Sequence, residues 1–356
     1  MEIDTELERQ IIGEYRNVFE YCQSHTVPPY MLEISRQWLE EERWRMYWQL
    51  LHSVPYNYNE KVIVDYGCKY GHLLPMFISL EARKAIGIDV DDEYVNAGST
   101  LFQGMYSNVE IFKSEEGYVP LQSGTVDFVL VNEVISHVNP AFLETVYAEI
   151  ARILKPGGKI LISDGNNIEY APCLEALAPL WNAWENGPDG AKTDRDIVTK
   201  SYLSRRKEII RSRHPQLDDA HVDILAQNTS GLWGNFLIKI IDDYVDSGNL
   251  IRRPYRLGTS PTNPGMSGVM MERGFYAEQV VRSLESYGLD AVDASALYVT
   301  VNAQPVSTII GLSKEMLRMV KRYIRSELYL YSDLYPQRIY KPVSANLTVV
   351  GTKRIS

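Results

Sequence analysis

The sequence predicts an α/β fold in which a mostly parallel, seven-stranded sheet is flanked by helices. Short β-branched apolar runs alternate with helical patterns between residues 61 and 163. The first two runs each end in an aspartate, at Asp65 and Asp89, and strand-like patterns return near the end of the chain. Strands that alternate with helices are joined by right-handed crossovers, and such crossovers build a parallel sheet.

The elements of this sheet are predicted from the period of the apolar residues. Before the sheet, apolar residues at helical spacing predict helices at 5–22 and 31–51, which either pack against the core or form a lid over a site. Continuous apolar runs predict five buried strands, at 62–64, 85–88, 109–112, 126–131 and 159–163. Helices are predicted around 73–77 and 142–153, and residues 155–158 predict a turn.

From Gly165 to about Gly268 the patterns are helical, at 174–184, 197–211, 216–226 and 232–245. They are followed by a helix at 276–287, a strand at 291–300, a helix at 314–328 and a strand at 346–351. Because strands resume after the helices, we predict a helical insertion within one sheet. The predicted parts are an N-terminal helical segment (1–58), a ligand-binding core (59–165), the insertion forming an acceptor pocket or cap (166–268) and the completion of the core (269–356).

Composition excludes several classes of protein. The chain has 356 residues, is 45% hydrophobic and carries a formal net charge of −10, which argues against a general binder of nucleic-acid phosphates. The sequence predicts neither a secretory signal nor a membrane span. Three scattered cysteines predict neither a disulfide framework nor a zinc site. We therefore expect a cytoplasmic protein without nucleic-acid or membrane partners; the sequence does not determine its oligomeric state.

The segment with the clearest chemistry follows the first strand. It reads Asp65-Tyr66-Gly67-Cys68-Lys69-Tyr70-Gly71 and leads into a helix. In open α/β sheets, ligands bind beyond the carboxyl ends of the strands, and glycine there lets the backbone approach the ligand closely. The spacing of Gly67 and Gly71 differs from that of dinucleotide-binding turns and P-loops, which counts against a dehydrogenase.

This segment resembles motif I of the class I S-adenosylmethionine-dependent methyltransferases, usually Asp-x-Gly-Cys-Gly-x-Gly. The resemblance continues at Asp89, which matches the family's acidic residue that holds both ribose hydroxyls, and at Glu115, which matches its adenine-binding acidic residue. Residues 127–133 and 154–159 resemble the family's fourth strand and the turn before its fifth. Similarity near 275–291 is weaker. The resemblance implies a Rossmann-like fold.

The resemblance implies S-adenosylmethionine as the cofactor, S-adenosylhomocysteine as its product, and no metal. The residues that it implies for cofactor binding are Asp65, Tyr66, Gly67, Cys68, Gly71, Asp89, Val90, Glu115, Glu116 and Asn132. One departure from the family is Lys69, which replaces the middle glycine. A left-handed backbone there costs lysine roughly 1 kcal/mol or more. A non-catalytic cofactor-binding or scaffold protein therefore stays an alternative.

Methyl transfer is an in-line displacement, so the enzyme mainly positions its substrates and adds a base where the acceptor is a hydroxyl or ammonium. His137, after the fourth strand, and Asp164, at the end of the fifth, are the candidate catalytic residues, with packing or capping as the alternative for His137. The leading hypothesis is transfer to an O or N atom of a small molecule; a protein or RNA methyltransferase is the other enzymatic alternative. Arg252, Arg253 and Arg256 are candidates to pair with a carboxylate or phosphate.

Overall fold

The computed structural model describes residues 3–40, 42–52, 54–169, 171–193, 197–266, 268–295 and 346–355. Its strands are β1 Val62–Tyr66, β2 Lys84–Asp89, β3 Val109–Lys113, β4 Val126–Asn132, β5 Leu154–Asp164, β6 Ala191–Lys192, β7 Ile197–Val198, β8 Leu289–Asp293 and β9 Leu347–Lys353. Seven of them form one sheet in the order β3-β2-β1-β4-β5-β9-β8, while β6 and β7 form a separate pair. The predicted α/β fold is confirmed.

Strands β1 to β5 are parallel, and β9 runs antiparallel between β5 and β8. The chain moves outward from β1 through β2 to β3 and then returns to the other side of β1 as β4. This reversal opens a crevice beyond the carboxyl ends of β1 and β4, where ligands bind in sheets of this type. The loops that follow β1, β2, β4 and β5 therefore border one site.

The helices are α1 Thr5–Ser24, α2 Pro29–Glu40, α3 Trp44–His52, α4 Leu74–Ser79, α5 Asp92–Gln103, α6 Pro140–Ile153, α7 Ala171–Asn186, α8 Tyr202–Arg213, α9 Asp219–Gln227, α10 Gly234–Ser247 and α11 Ala277–Ser286. In the described part of the chain, none of them combines the length and apolarity needed to cross a membrane.

Alternation of side chains along the strands gives the sheet two apolar faces. One face presents Ile63, Phe128 and Leu161 to a cluster that includes residues of α1 to α5. The other presents Val64 and Ile162 to α6 and α11. The N-terminal helices thus share a core with the sheet, as the packing interpretation of residues 1–58 predicts.

The insertion has its own buried clusters, one on α7 and α8 and one spanning α8 to α10. Between them, Arg206 Nη2 donates to Glu185 Oε1 at 2.5 Å, and Arg206 Nε donates to the carbonyl of Ala226 at 2.9 Å. Arg206 and Glu185 expose 1% and 0% of their surface. Arg206 Nη1 and Glu185 Oε2 are buried without hydrogen-bond partners.

The structure departs from the predicted elements in a few places. The predicted helix at 31–51 is two helices, α2 and α3, separated around Glu42, whose φ is +50°. The predicted turn at 155–158 lies inside β5, where pairing with β4 shifts register between Val126 and Phe128. Residues 197–198 pair with β6 instead of beginning a helix. The predicted helix 314–328 and residues 296–300 of a predicted strand lie outside the described residues.

Candidate functional site

The glycine turn after β1 is closely packed. Gly67 and Gly71 have φ values of +81° and +79°, which favour glycine. A Cβ on Gly67 would lie 2.2 Å from Cγ2 of Val134, and one on Gly71 would lie 2.8 Å from Cδ1 of Ile111. Both positions therefore require glycine, for conformation and for space.

Lys69 adopts the left-handed conformation that the glycine motif suggests. Its φ is +51°, its side chain is exposed, and its N–H donates to Asp89 Oδ2 at 2.8 Å. An L-residue in this conformation costs about 1–2 kcal/mol. The backbone path thus keeps the geometry expected of glycine, and the exposed Lys69 side chain lies outside the packed turn.

Two buried carboxylates end the neighbouring strands β1 and β2. Asp89 accepts hydrogen bonds at Oδ1 from the N–H groups of Val90 (2.8 Å) and Asp91 (3.1 Å), while burial raises its pKa. Asp65 is 6% exposed, and its carboxylate makes no hydrogen bond to a residue that the structure describes. Burial, together with the charge of Asp89, raises the pKa of Asp65 to about 7. This pair suits a ligand with positive charge and hydroxyl groups.

The remaining residues predicted to bind the cofactor differ in exposure. Tyr66 and Cys68 are buried, Asn132 is half-buried at the end of β4, and Val90 is 47% exposed. Glu115 and Glu116 are exposed on a turn after β3, and Glu115 Oε1 lies 3.9 Å from Lys113 Nζ. These two glutamates therefore lie at the rim of the crevice.

Asp164 joins the loops that follow β4 and β5. Its Oδ2 accepts from the N–H of Ser136 at 3.1 Å, and its Oδ1 accepts from the N–H and Nδ2 of Asn166 at 3.3 and 3.1 Å. It is 1% exposed, and burial raises its pKa. Asp164 therefore fixes the two loops, because its carboxylate accepts hydrogen bonds from Ser136 on one loop and from Asn166 on the other.

His137 is held in one orientation by a distant segment. Its Nδ1 lies 3.0 Å from the carbonyl oxygen of Met270, and the N–H of Met270 donates to the His137 carbonyl at 2.9 Å. A carbonyl only accepts hydrogen bonds, so Nδ1 carries the proton and Nε2 is the acceptor in the neutral ring. His137 is half-buried.

Glu133 directly follows β4, where the sequence predicts that a candidate base lies, although His137 and Asp164 are preferred as the catalytic residues. Its φ is +55°, and its N–H donates to the Ser163 carbonyl at 2.8 Å. Both carboxylate oxygens lie 3.4 Å from where Gly165 would carry a Cβ. Desolvation, with a contribution from Asp164, raises the pKa of Glu133. Backbone strain in non-glycine residues concentrates at functional sites.

The carboxyl edge of the sheet thus brings together Asp65, Gly67, Asp89, Glu133 and His137. The three arginines predicted to pair with an acidic group do not lie at this edge. They are exposed on the insertion, at Arg252, Arg253 and Arg256. Within the described ranges, no group of three His, Cys, Asp or Glu side chains is arranged to hold a metal ion.

Comparisons with known proteins agree with this geometry. Residues 63–158 match a family model described as "Methyltransferase domain". Ribosomal protein L11 methyltransferase of Actinobacillus succinogenes is 27% identical over 120 residues, covering 33% of this chain and 38% of that protein. A protein of Mycolicibacterium smegmatis, named probable S-adenosylmethionine-dependent methyltransferase, is 29% identical over 133 residues, covering 35% of this chain and 48% of that protein. The chain thus spans less than half the length of these two relatives.

Among solved structures, that of an S-adenosylmethionine-dependent methyltransferase from Mesorhizobium loti is similar, with 12% identity. The likeness covers 85% of this chain and 95% of that one, at a TM-score of 0.39.

Proposed function

We propose, from the match of residues 63–158 to a methyltransferase-domain model and from the glycine turn after β1, that the chain is a class I S-adenosylmethionine-dependent methyltransferase. We propose further that it transfers the methyl group to an O or N atom of a small-molecule acceptor. The observation that carries the catalytic part is the orientation of His137. Its Nδ1 is bound to the Met270 carbonyl, which leaves Nε2 as the nitrogen able to accept a proton.

The residues present fit the cofactor. The left-handed glycine turn after β1, packed against Val134, fixes the backbone that borders the crevice. Asp89 supplies a carboxylate suited to two vicinal hydroxyls, and the buried Asp65 supplies one suited to a positive group. When bound, S-adenosylmethionine supplies a methyl group activated by its sulfonium charge. The protein's own contribution is to orient the acceptor toward that group and to exclude water.

On the acceptor side, His137 Nε2 would take the proton of an acceptor hydroxyl or ammonium. Glu133 lies close enough for the charge of His137 to act on its carboxylate, and it would stabilise the imidazolium that forms. Asp164 would hold the two loops, through Ser136 and Asn166, so that His137 keeps its place.

A small acceptor is supported by the chain's net charge of −10 and by the insertion, whose helices α7 to α10 follow β5 and could enclose a pocket. A protein acceptor is the alternative, because one relative is named as a ribosomal protein methyltransferase. The size of the acceptor that becomes methylated separates the two.

The experiment begins with calorimetric titration of S-adenosylmethionine and S-adenosylhomocysteine into the wild type, Asp89→Ala and Asp92→Ala. Asp92 is a matched control, since it lies three residues further on and its carboxylate is exposed and paired with Lys113. We expect micromolar binding by the wild type and Asp92→Ala, and loss of about 100-fold or more in Asp89→Ala. No binding by the wild type would favour the scaffold alternative.

The catalytic step is tested next with metabolite mixtures and labelled cofactor. We expect His137→Gln to keep the cofactor affinity while methyl transfer falls by about 100-fold, the usual range for losing a general base. Unchanged transfer in His137→Gln would assign the histidine to packing.

A further inference from the structure

Arg273 lies on the segment that holds His137 in place. The N–H of Arg273 donates to the carbonyl of Ser136 at 2.7 Å, one residue before His137. Three residues earlier, Met270 makes the two hydrogen bonds to His137 already described. The backbone of Arg273 is therefore fixed against the loop that carries the proposed base.

The guanidinium of Arg273 has no anionic partner among the residues that the structure describes. The side chain is half-buried, its Cζ lies 4.3 Å from the ring centre of Phe275, and its Nε is buried without a hydrogen-bond partner. No ion pair or side-chain hydrogen bond joins Arg273 to those residues. Burial correspondingly lowers its pKa. Partly burying an unpaired cation is unfavourable, and natural proteins usually pair such groups.

The surroundings of Arg273 contain a second unsatisfied donor. The hydroxyl of Tyr147, on α6, is buried without a hydrogen-bond partner, and the charge of Arg273 acts on it. Asp164 is the nearby carboxylate and its charge acts on Arg273, but the two side chains form no ion pair. Arg206, which is fully buried, does pair with a carboxylate, that of Glu185.

We propose that Arg273 and Tyr147 form the site for an anionic group of the methyl acceptor, a carboxylate or a phosphate. A planar guanidinium offers parallel N–H donors that match either group, and a phenol adds a third donor. This inference rests on the proposed function, because it places the anionic group beside the loop of His137. It replaces the exposed Arg252, Arg253 and Arg256 as the residues that recognise an acidic acceptor.

The test uses benzoate and phenyl phosphate as probes, with benzamide as the uncharged match. Binding to the full chain is followed by ligand-observed nuclear magnetic resonance, with and without saturating S-adenosylhomocysteine. The variants are Arg273→Gln and the control Arg282→Gln, whose side chain is exposed and paired with Glu278 on α11. We expect an anionic probe to bind the wild type and Arg282→Gln equally, and Arg273→Gln about tenfold or more weakly. Benzamide should not distinguish the variants.

Two further variants keep the test decisive if Arg273→Gln loses its fold. Arg273→Lys retains the charge without the planar guanidinium, and Tyr147→Phe removes only the hydroxyl. Both variants should bind the anionic probe more weakly than the wild type. Both should still unfold cooperatively on heating, which shows that they are folded. Equal probe binding by all variants, or none by the wild type, would overturn the anion site. If the cofactor analogue binds and no anionic probe does, the proposed function stands and this inference is wrong. If the analogue does not bind, the proposed function is wrong, and probe binding that depends on Arg273 would then show an anion site without a role in methyl transfer.

Discussion

Replacing Asp65 with asparagine should stabilise the cofactor-free protein and abolish cofactor binding. The Asp65 carboxylate is buried and makes no hydrogen bond to the described residues. Burial, together with the charge of Asp89, raises its pKa from 3.8 to about 7. The folded protein therefore binds a proton at Asp65 between about pH 4 and 7 that the unfolded chain has released. Stability must then fall as the pH rises through this window.

The magnitude follows from the size of the shift. A pKa of about 7 in place of 3.8 corresponds to about 4 kcal/mol between the protonated and charged forms, of which roughly 3 kcal/mol is lost between pH 5 and pH 8. Asparagine removes the charge but leaves a buried amide, which costs about 1–3 kcal/mol if it finds no partner. We therefore expect Asp65→Asn to be more stable than the wild type at pH 8, with an advantage about 3 kcal/mol larger there than at pH 5.

Urea unfolding followed by circular dichroism at pH 5, 6, 7 and 8 measures this difference, with titration of S-adenosylhomocysteine alongside. Asp127→Asn is the control, because the pKa of Asp127 is lowered in the folded protein whereas that of Asp65 is raised. Burial acts to raise the pKa of Asp127, but hydrogen bonds from Lys155 Nζ (2.7 Å) and the Val62 N–H (2.9 Å) outweigh it and lower the pKa. Asp127→Asn should lose stability throughout that range. If Asp65→Asn has the same pH slope as the wild type, the reasoning about Asp65 is refuted.

Three other substitutions test the packing and strain described above. Arg206→Met should lower the unfolding free energy by about 3–5 kcal/mol, because it leaves Glu185 charged and buried. The double variant Arg206→Met with Glu185→Met should recover most of that loss. A double variant as unstable as the single one would contradict this explanation. Gly67→Ala should abolish binding of S-adenosylhomocysteine, since its Cβ would collide with Val134; retained micromolar affinity would show that the turn can move. Lys69→Gly should keep the cofactor affinity and change stability by no more than about 1 kcal/mol, because relief of strain is offset by the flexibility of unfolded glycine; a large gain in affinity would show that the lysine obstructs the site.

The strands and the glycine turn after β1 could be predicted because their signals are local. A buried parallel strand is a short apolar run, and the turn after it carries Gly67 and Gly71 within a few residues. The helix break near Glu42 was missed because an apolar period continues across it while the backbone there turns left-handed. Whether residues 1–58 form a lid and residues 166–268 form the acceptor pocket stays a prediction.

The acceptor half could not be predicted, since its geometry comes from contacts between distant segments. His137 is oriented by Met270, and Ser136 by Arg273, and no period or spacing connects these residues. The strain at Glu133 is likewise a property of the loop after β4 in the folded chain. Arg273 lies in a segment without a recognisable motif, so the sequence does not single it out. Arg252 and Arg253 were candidates because they are adjacent in the sequence.

The position of β9 has a consequence for synthesis of the protein. In the register of this strand, Leu347 pairs with Asp164 and Val349 pairs with both Ile162 and Asp293, so β9 bridges two strands that are far from it in the sequence. Until the ribosome has released residues 347–353, β5 presents an unpaired backbone edge, and such edges template aggregation. Pairing across so much intervening chain is slow. We expect nascent chains stalled before β9 to depend on chaperones and to associate through β5.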